Sequence, residues 1–291
     1  MKAFAALTAL ALTLAGAAFA AQREAVAQRP RRIVSLNLCA DQLLVALADR
    51  DQIAALNRFV RDPDMSAVAA RAGGYPVSRG SLEDVLALDP DLVVAAPYWR
   101  GMATTGLRGR EIRTLELPSA ESYAAIVAQV RQVAAAVGHP ERGEAMVRRM
   151  DAILAALPRP GHAGVAAYYQ RRGFLTGKGT LVDELMARAG LTNLATKLGK
   201  PALGRLSVEE MVAAHPDYLI VDSGSARIDD LGTEMLNHPA LADIPRISLP
   251  DSWTVCGGPT YALAAQSLTR QLARLRAGRA TLLHSRTRTP A

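Results

Sequence analysis

The chain is poor in aromatic residues, histidine and cysteine, and these shortages exclude several classes of function. Aromatic side chains make up 4% of its 291 residues, so the stacking platforms of single-stranded nucleic acid binders are missing. The net charge of +7 comes from arginines spread along the chain. This spread argues against a nucleic acid partner, whereas a basic surface would help to attract an anionic ligand.

Patterns for metal binding and catalysis are also missing. The segment Gly177–Thr180 resembles a phosphate loop but lacks the full P-loop spacing, and no Gly-x-Ser-x-Gly elbow occurs. We therefore expect no enzyme activity and no cofactor. A carrier of a bare divalent metal ion and a secreted two-lobe enzyme remain as alternatives. The histidines include no pair at the spacing of a metal site; they are His139, His162, His215, His238 and His284.

Long apolar runs are confined to the start of the chain. Lys2 precedes an apolar stretch, and Ala18-Phe19-Ala20 fits the cleavage rule of a secretory signal peptide. No cysteine follows this stretch to take a lipid anchor, and no later stretch reaches the roughly 18 apolar residues of a membrane span. We expect residues 1–20 to be removed and the mature protein to be soluble in an oxidising space outside the cytoplasm. There, Cys39 and Cys256 either form a disulfide or are two small buried apolar residues.

Two segments that start 126 positions apart repeat one pattern. Residues 81–94 read SLEDVLALDPDLVV and residues 207–220 read SVEEMVAAHPDYLI, with five identical positions. Each segment predicts a serine-capped helix, a proline that ends it, and a buried strand. Such a repeat indicates two α/β lobes of similar design with a cleft between them.

Short strands alternate with helices on both sides of a helical segment without strands, which predicts parallel sheets flanked by helices. After the signal peptide (1–20) we predict an N-terminal α/β lobe over residues 21–118 and a C-terminal α/β lobe over 158–291. The linking segment, residues 119–157, is predicted to be helical with an interruption at Gly138-His139-Pro140. It is long enough to cross from one lobe to the other.

The order of lobe, long helix and lobe resembles the helical-backbone class of periplasmic substrate-binding proteins, which serve ABC importers of cobalamin, haem and ferric siderophores. The similarity extends over about residues 31–275, and four segments carry it: 32–37, 81–94, 175–185 and 252–259. It implies two Rossmann-like lobes joined by a long α-helix, with small closure on binding. It also implies a monomer that captures a metal chelate and delivers it to the permease subunits of an ABC transporter in the inner membrane.

In this family, one glutamate on each lobe docks to arginines of the permease, and the matching positions are Glu83 and Glu209. Each follows a serine cap near a helix start, where the helix dipole favours a carboxylate. Each would be free to form bidentate pairs with a partner arginine. The alternative role is only to complete the helix starts.

We expect the ligand site between the lobes, beyond the strand ends. Loop aromatics and arginines suit a flat macrocycle or an anionic chelate, because rings stack on it and arginine pairs with its carboxylates or phosphate. If the chelate is haem, Tyr75 is a candidate iron ligand through its phenolate. As alternatives, Tyr98 and Tyr168 are core residues at strand ends. The candidates are Asn37, Tyr75, Tyr98, Trp99 and Arg100 on the first lobe, and Tyr168, Tyr169, Arg171, Arg172 and Trp253 on the second.

Overall fold

The protein folds into two α/β lobes, each with its own sheet, as predicted. The structure, a computed structural model, describes residues 29–99, 112–159, 161–226 and 230–286. The predicted signal segment lies outside these residues. Within them, no helix combines the length and the apolar composition that a membrane span needs.

The first lobe is built around a parallel sheet. Its described elements are β1 (Ile33–Ser35), α1 (Leu38–Leu47), β2 (Ile53–Asn57), α2 (Ala69–Ala72), β3 (Val77–Ser78), α3 (Leu82–Ala87), β4 (Leu92–Ala95) and β5 (Arg113–Glu116). The strand order is β3-β2-β1-β4-β5, and all neighbours are parallel. Strands β1 and β4 are buried throughout, because helices cover both faces of such a sheet. The strand order reverses between β1 and β4, which places a crevice at their carboxyl ends.

The linking segment contains two helices, α4 (Tyr123–Ala136) and α5 (Pro140–Ala155). Ser122 caps the first helix with its side chain. Gly138, at φ 81, follows the end of α4, and Pro140 opens α5, a position where its missing N–H costs nothing. The segment is therefore helical as predicted, with its break where the sequence places one.

The second lobe is built around a mixed sheet. Its described elements are β6 (Gly164–Gln170), β7 (Phe174–Thr176), α6 (Leu181–Arg188), β8 (Leu191–Asn193), α7 (Leu194–Lys197), β9 (Leu203–Arg205), α8 (Val208–Ala214), β10 (Tyr218–Asp222), α9 (Leu231–Glu234), β11 (Arg246–Leu249) and α10 (Tyr261–Arg286). The order is β11-β10-β6-β7-β9, and β8 pairs with the start of β6. Strands β10 and β11 run parallel to β6, whereas β7 is antiparallel to its neighbours. The carboxyl ends of β6, β10 and β11 therefore meet at one edge.

The two repeated segments have the same local structure. Ser81 and Ser207 cap α3 and α8, each accepting a hydrogen bond from the backbone N–H three residues on. Both helices end before a proline at a residue with positive φ, Asp89 (φ 45) in the first lobe and His215 (φ 43) in the second. The two segments that are similar in sequence are therefore also similar in structure.

Asp91 and Asp217 also make the same pair of contacts. The backbone N–H of Asp91 donates to the carbonyl of Arg32 (3.1 Å), and its carboxylate accepts from the N–H of Arg32 (3.0 Å). The N–H of Asp217 donates to the carbonyl of Val165 (2.8 Å), and its carboxylate accepts from the N–H of Val165 (2.8 Å). Each aspartate thereby fastens its strand to the central strand of its own lobe.

One hydrophobic core extends through both lobes. It includes Ile33 and Leu92 from the first sheet, Tyr168 and Ile220 from the second, and Val133 from the linking segment. Two smaller clusters involve α3 in the first lobe and α8 in the second. Because apolar residues of both lobes contact the same helices, a large change in lobe orientation would expose them to water.

A disulfide joins the lobes. Cys39, in the first turn of α1, is bonded to Cys256, which precedes α10, and their Cα atoms are 5.2 Å apart. Next to this bond, Gly257 lies so close to the linking segment that a Cβ there would be 2.0 Å from the carbonyl oxygen of Ala120. Of the two alternatives for the cysteines, the structure has the paired one.

Candidate ligand-binding cleft

A cleft of about 490 Å³ opens at the carboxyl ends of the second sheet. Strand β6 ends at Gln170 and continues into Arg171, Asp222 is the last residue of β10, and Asp251 follows β11. The first lobe contributes Asp64 to the same cleft. The cleft therefore lies between the lobes, at the strand ends where ligands of α/β folds bind.

A side pocket of about 230 Å³ continues the cleft. It shares Gln170, Leu203 and Asp251 with the cleft and adds Tyr168 and Thr254. Leu203 is 62% exposed, so it presents apolar surface to both cavities. An exposed apolar side chain at the rim of a concave site is typical of a ligand contact.

Carboxylates are the most frequent charged groups in the described lining of the cleft, which includes Asp64, Asp222 and Asp251. Burial raises the pKa of Asp251, and the neighbouring charges of Asp222 and Asp64 raise it further. Among the described lining residues Arg171 is the one arginine, and it forms an ion pair with Asp230. The described cleft is therefore acidic, which differs from the arginine-rich site expected for an anionic chelate.

The partner of Arg171 is held in its charged form. The hydroxyl and the backbone N–H of Thr233 donate to Asp230 (2.6 and 2.9 Å). These bonds, with a smaller effect of Arg171, hold the pKa of Asp230 far below its usual range. At neutral pH the guanidinium of Arg171 is therefore paired with an ionised carboxylate.

Hydrogen bonds fix the cleft carboxylates in place. One oxygen of Asp222 accepts from the N–H of Asp251 (2.8 Å) and the other from the N–H of Gly224 (2.9 Å). The hydroxyl of Tyr168 donates to Asp251 (3.2 Å) and lies 2.9 Å from the hydroxyl of Thr254. Tyr168 is 2% exposed, so it supports the cleft from the core and offers no ring face for stacking.

The predicted residues of the first lobe lie at the carboxyl edge of its sheet, with one exception. Asn37 follows β1, where its side chain caps α1 and donates to the carbonyl of Leu117 (3.2 Å). Tyr98 follows β4 and is 79% exposed. It belongs to a 3₁₀ turn that ends at Trp99, and Arg100 lies outside the described residues.

Tyr75 is the exception, because it lies at the opposite edge of the first sheet. It precedes β3 and neighbours Asp51 and Ile53 at the start of β2. The guanidinium of Arg50 stacks on its ring, 4.6 Å from the centroid. Since parallel strands start at one edge and end at the other, the structure does not bring Tyr75 to the cleft.

The remaining candidates of the second lobe also point elsewhere. Tyr169 is completely buried and donates to the carbonyl of Leu206 (2.9 Å), because successive strand residues face opposite sides of a sheet. Arg172, at φ 59, packs beside Gly232, and Trp253 is partly buried against the shared core. Of the five candidates in this lobe, Arg171 lines the cleft and Tyr168 lines its side pocket.

Sequence reasoning missed all of the acidic lining. Asp222 is the last residue of an apolar strand that the repeated segment predicts, and Asp251 lies two residues after the apolar strand β11, so the position of the strand ends could have identified both. Asp64 and Leu203 offered no such signal, since their stretches show no clear periodicity in the sequence. The candidates chosen from the sequence were mainly aromatic residues and arginines.

Glu83 and Glu209 are exposed and hold the second position of α3 and α8. Hydrogen bonds from backbone N–H groups and from the serine caps lower the pKa of both carboxyls. A helix that precedes a parallel strand runs opposite to it, so both helix starts lie at the carboxyl edges of the sheets. The two glutamates and the cleft are therefore on the same side of the molecule.

The cleft carboxylates do not form a metal site. Within the described residues, no group of three or more histidine, cysteine, aspartate or glutamate side chains is arranged to hold a metal ion. The cleft is suited to an organic molecule, with apolar surface at Leu203 and hydrogen-bond acceptors at Asp222 and Asp251.

The model of one family matches this architecture. It is the periplasmic binding protein family, and the match covers residues 33–247, from β1 through the linking helices into β11. The chain belongs to this family. Its two lobes, linking helices and cleft are thus those of a periplasmic binding protein.

Several relatives of this periplasmic binding protein are known. A cobalamin-binding protein of Halobacterium salinarum is 30% identical over 207 residues, which cover 69% of this chain and 56% of the relative. The match thus spans little more than half of that protein's length. A vitamin B12-binding protein of Pectobacterium atrosepticum is 25% identical over 262 residues, 85% of this chain and 90% of the relative.

Solved structures share the fold. An apo periplasmic haem-binding protein from Roseiflexus sp. RS-1 superimposes with a TM-score of 0.67 at 27% identity, covering 83% of this chain and 97% of that protein. The periplasmic vitamin B12-binding protein of Vibrio cholerae gives 0.63 at 15% identity, covering 85% and 98%. The second likeness is one of fold alone.

Proposed function

We propose that this periplasmic binding protein captures a metal chelate in the cleft between its lobes and delivers it to the permease of an ABC importer. The observation that carries the proposal is the cleft itself. Residues of both lobes, Asp64 and the strand ends around Asp222, bound one concave site, so a ligand would bridge the lobes. The relatives that bind cobalamin and haem support the same class of ligand.

Within this class, the charge of the cleft favours a corrinoid such as cobalamin over haem. Asp64, Asp222 and Asp251 line the cleft, and the guanidinium of Arg171 is neutralised by Asp230. Haem carries two carboxylates, which these aspartates would repel. Cobalamin carries peripheral carboxamides instead, whose N–H groups would donate to the aspartates.

Spectrophotometric titration of the purified protein with cyanocobalamin and with haemin tests this choice. We expect cyanocobalamin to bind more tightly and to be recovered unchanged, because a binding protein does no chemistry on its ligand. Tighter binding of haemin would show that the acidic lining does not set the preference. Failure of cyanocobalamin, haemin and a ferric siderophore alike to bind would contradict the proposed function itself.

A pair of tyrosine variants tests whether the carboxyl edge of the first sheet contacts the ligand. Tyr98 lies at that edge with 79% of its surface exposed, so Tyr98→Ala should weaken chelate binding by about 3- to 10-fold through lost ring contact. Tyr75 is at the opposite edge, so Tyr75→Ala serves as the matched control and should leave affinity unchanged. A larger loss in the control would contradict the assignment.

We assign delivery to Glu83 and Glu209. They are exposed, lie on the cleft side of the molecule, and occupy equivalent positions in the two lobes. Two fixed carboxylates on one face can pair with two arginines of a permease and so fix the orientation of docking.

Charge reversal separates docking from binding. The double variant Glu83→Lys/Glu209→Lys should bind the chelate as the wild type does but should not support its uptake by cells. The control, Asp51→Lys, reverses an exposed charge at the amino edge of the first sheet and should leave uptake intact. Normal uptake with the double variant would refute the docking role.

The proposal also covers how the protein is exported and its oligomeric state. Residues 1–20 direct secretion, and the mature chain acts as a monomer. Intact mass of protein recovered from the native periplasm should match a start at Ala21, and light scattering should give the mass of one chain. An unprocessed start or a lipid adduct would contradict the proposal for export.

A further inference from the structure

A second cavity, of about 560 Å³, lies between the first lobe, the linking helices and the terminal helix. We call it the hinge groove. Its walls are α1 with Gln42, the segment 67–71, helix α5 from Arg142 to Ile153, and the start of α10 with Thr260. It shares no described lining residue with the ligand cleft. An occupant of the groove would therefore touch both lobes without entering the cleft.

Buried polar groups line this groove without partners. Gln42 is 2% exposed, and neither its amide nitrogen nor its amide oxygen has a hydrogen-bond partner among the described residues. The hydroxyl of Thr260 is likewise buried and unpaired there. Buried polar side chains in folded proteins are nearly always hydrogen-bonded. Three such atoms therefore lie beside one cavity with no partner among the described residues.

The charge at the groove is positive. Arg71 and Arg149 are exposed lining residues, and within the described chain neither has an ion pair. The third lining arginine, Arg142, is paired with Asp49 (2.6 Å). No carboxylate occurs among the described residues that line the groove. Two free guanidinium groups there favour an anion, which they can bind with parallel hydrogen bonds.

The rest of the lining is apolar. Met146, Met150 and Ile153 come from α5, and Leu263, 40% exposed, comes from α10. Methionine side chains are flexible and polarisable, so they adapt to ligands of different shape. Apolar walls with a few polar groups at defined positions are typical of small-molecule sites.

We propose that the hinge groove binds an anionic amphiphile, a molecule with a carboxylate or phosphate head and an apolar body. Arg71 and Arg149, the exposed cations of the lining, bind the head. The apolar body lies against Met146 and Leu263. This site is separate from the cleft and does not depend on the proposed transport function.

Fluorescence of 8-anilinonaphthalene-1-sulfonate, an anionic amphiphile, provides the test on the mature protein. We expect one saturable site from which decanoate and decyl phosphate displace the probe, whereas uncharged decan-1-ol does not. Comparison of decanoate with decyl phosphate distinguishes a carboxylate ligand from a phosphate ligand. Absence of saturable binding, or equal displacement by decan-1-ol, would overturn the proposal.

Variants locate the probe. Arg71→Glu/Arg149→Glu should weaken its binding at least tenfold through charge repulsion, and Ala145→Trp, at an exposed lining position of α5, should block the groove sterically. Arg148→Glu is the matched control, since Arg148 is exposed on the same helix but does not line the groove. Circular dichroism checks that each variant is folded. Equal affinity in the wild type and both groove variants would place the probe elsewhere and reject the site.

Discussion

Glu121 and Glu184 accept hydrogen bonds from the first turns of each other's helices, α6 and α4. The carboxylate of Glu121, just before α4, accepts from the N–H of Leu181 at the start of α6 (3.0 Å). The carboxylate of Glu184, in α6, accepts from the N–H of Tyr123 at the start of α4 (2.8 Å). Both donors belong to first turns, whose N–H groups have no partner within their own helix. The exchange joins the linking segment to the second lobe.

Loss of the Glu184 charge should weaken this junction. Glu184 also accepts from the hydroxyl of Tyr261 (2.8 Å), so Glu184→Gln should lower the free energy of unfolding by about 1–3 kcal/mol. The control is Glu144→Gln, which removes an ion pair with Arg131 whose side chains are half exposed. It should cost clearly less than Glu184→Gln, because solvent screens an exposed ion pair. Urea denaturation measures both, and equal losses would contradict the role of Glu184.

Gly257 should not tolerate a side chain. A Cβ there would lie 2.0 Å from the carbonyl oxygen of Ala120 and 2.7 Å from its Cβ. Gly257→Ala should therefore destabilise the fold by about 1–3 kcal/mol, as overpacking does. Gly73→Ala is the control, since no atom lies within 4 Å of its Cβ position and its φ is −57. Thermal denaturation showing no difference between the two would refute the close approach.

Removal of the disulfide should destabilise the protein in the same assay. Cys39 and Cys256 are separated by 217 residues. A bond that closes a loop of this size strongly reduces the conformational entropy of the unfolded chain. Cys39→Ala/Cys256→Ala should lower the free energy of unfolding by about 2–5 kcal/mol. Alkylation of the wild type with and without reductant, read by mass spectrometry, verifies the bond. Two free thiols in the unreduced protein would contradict the structure.

Asp41 should make the protein less stable as the pH rises. It is completely buried, and burial raises its pKa from 3.8 to about 8, although Ser35 and the N–H of Asn57 oppose the rise. Between these values the folded state holds a proton that the unfolded state has released. The contribution of Asp41 to the free energy of unfolding is therefore fully present below pH 3.8. Above that pH it falls by up to about 1.4 kcal/mol per pH unit towards pH 8.

The variant Asp41→Asn should remove this pH dependence. An amide resembles the protonated carboxyl in shape, so the variant should match the wild type below pH 3.8 and increasingly exceed its stability as the pH rises towards 8. Denaturant titrations across this range measure the difference. A wild type whose stability rises with pH relative to the variant would show that Asp41 is ionised in the folded state.

The sequence predicts much of this fold because the signals are local. The helix and the strand that residues 207–220 predict are both present, as α8 (Val208–Ala214) and β10 (Tyr218–Asp222). Their apolar periodicity, serine cap and prolines are contained within each segment. The second copy of the pattern at residues 81–94 then predicts a second lobe of the same design.

Strands β7, β8 and β9 were not predicted, because each has three residues and depends on distant partners. Gly173, Gly177 and Gly204 interrupt the apolar pattern there and favour a loop interpretation. Two of these glycines are needed for close packing instead: a Cβ at Gly173 would lie 2.7 Å from the carbonyl oxygen of Leu206, and one at Gly177 would lie 2.5 Å from that of Pro201. Such an approach exists only in the folded chain.

The candidate site was predicted less well than the fold. The edge of a sheet that a loop residue occupies depends on strand direction. This separates Tyr98, which follows β4, from Tyr75, which precedes β3. Neighbouring strand residues face opposite sides of the sheet, so Tyr168 lines the side pocket whereas Tyr169 lies in the core. Residue type alone identifies neither.

The bond between Cys39 and Cys256 has a consequence for biosynthesis. The chain holds no other cysteines, so no wrong bridge can form within one molecule. Cys39 remains a lone thiol until residue 256 has been made, nearly nine-tenths of the way along the chain. Oxidation before that moment cannot give the native bond and leads instead to a sulfenic acid or a disulfide with another molecule, so the late arrival of its partner requires Cys39 to stay reduced during synthesis.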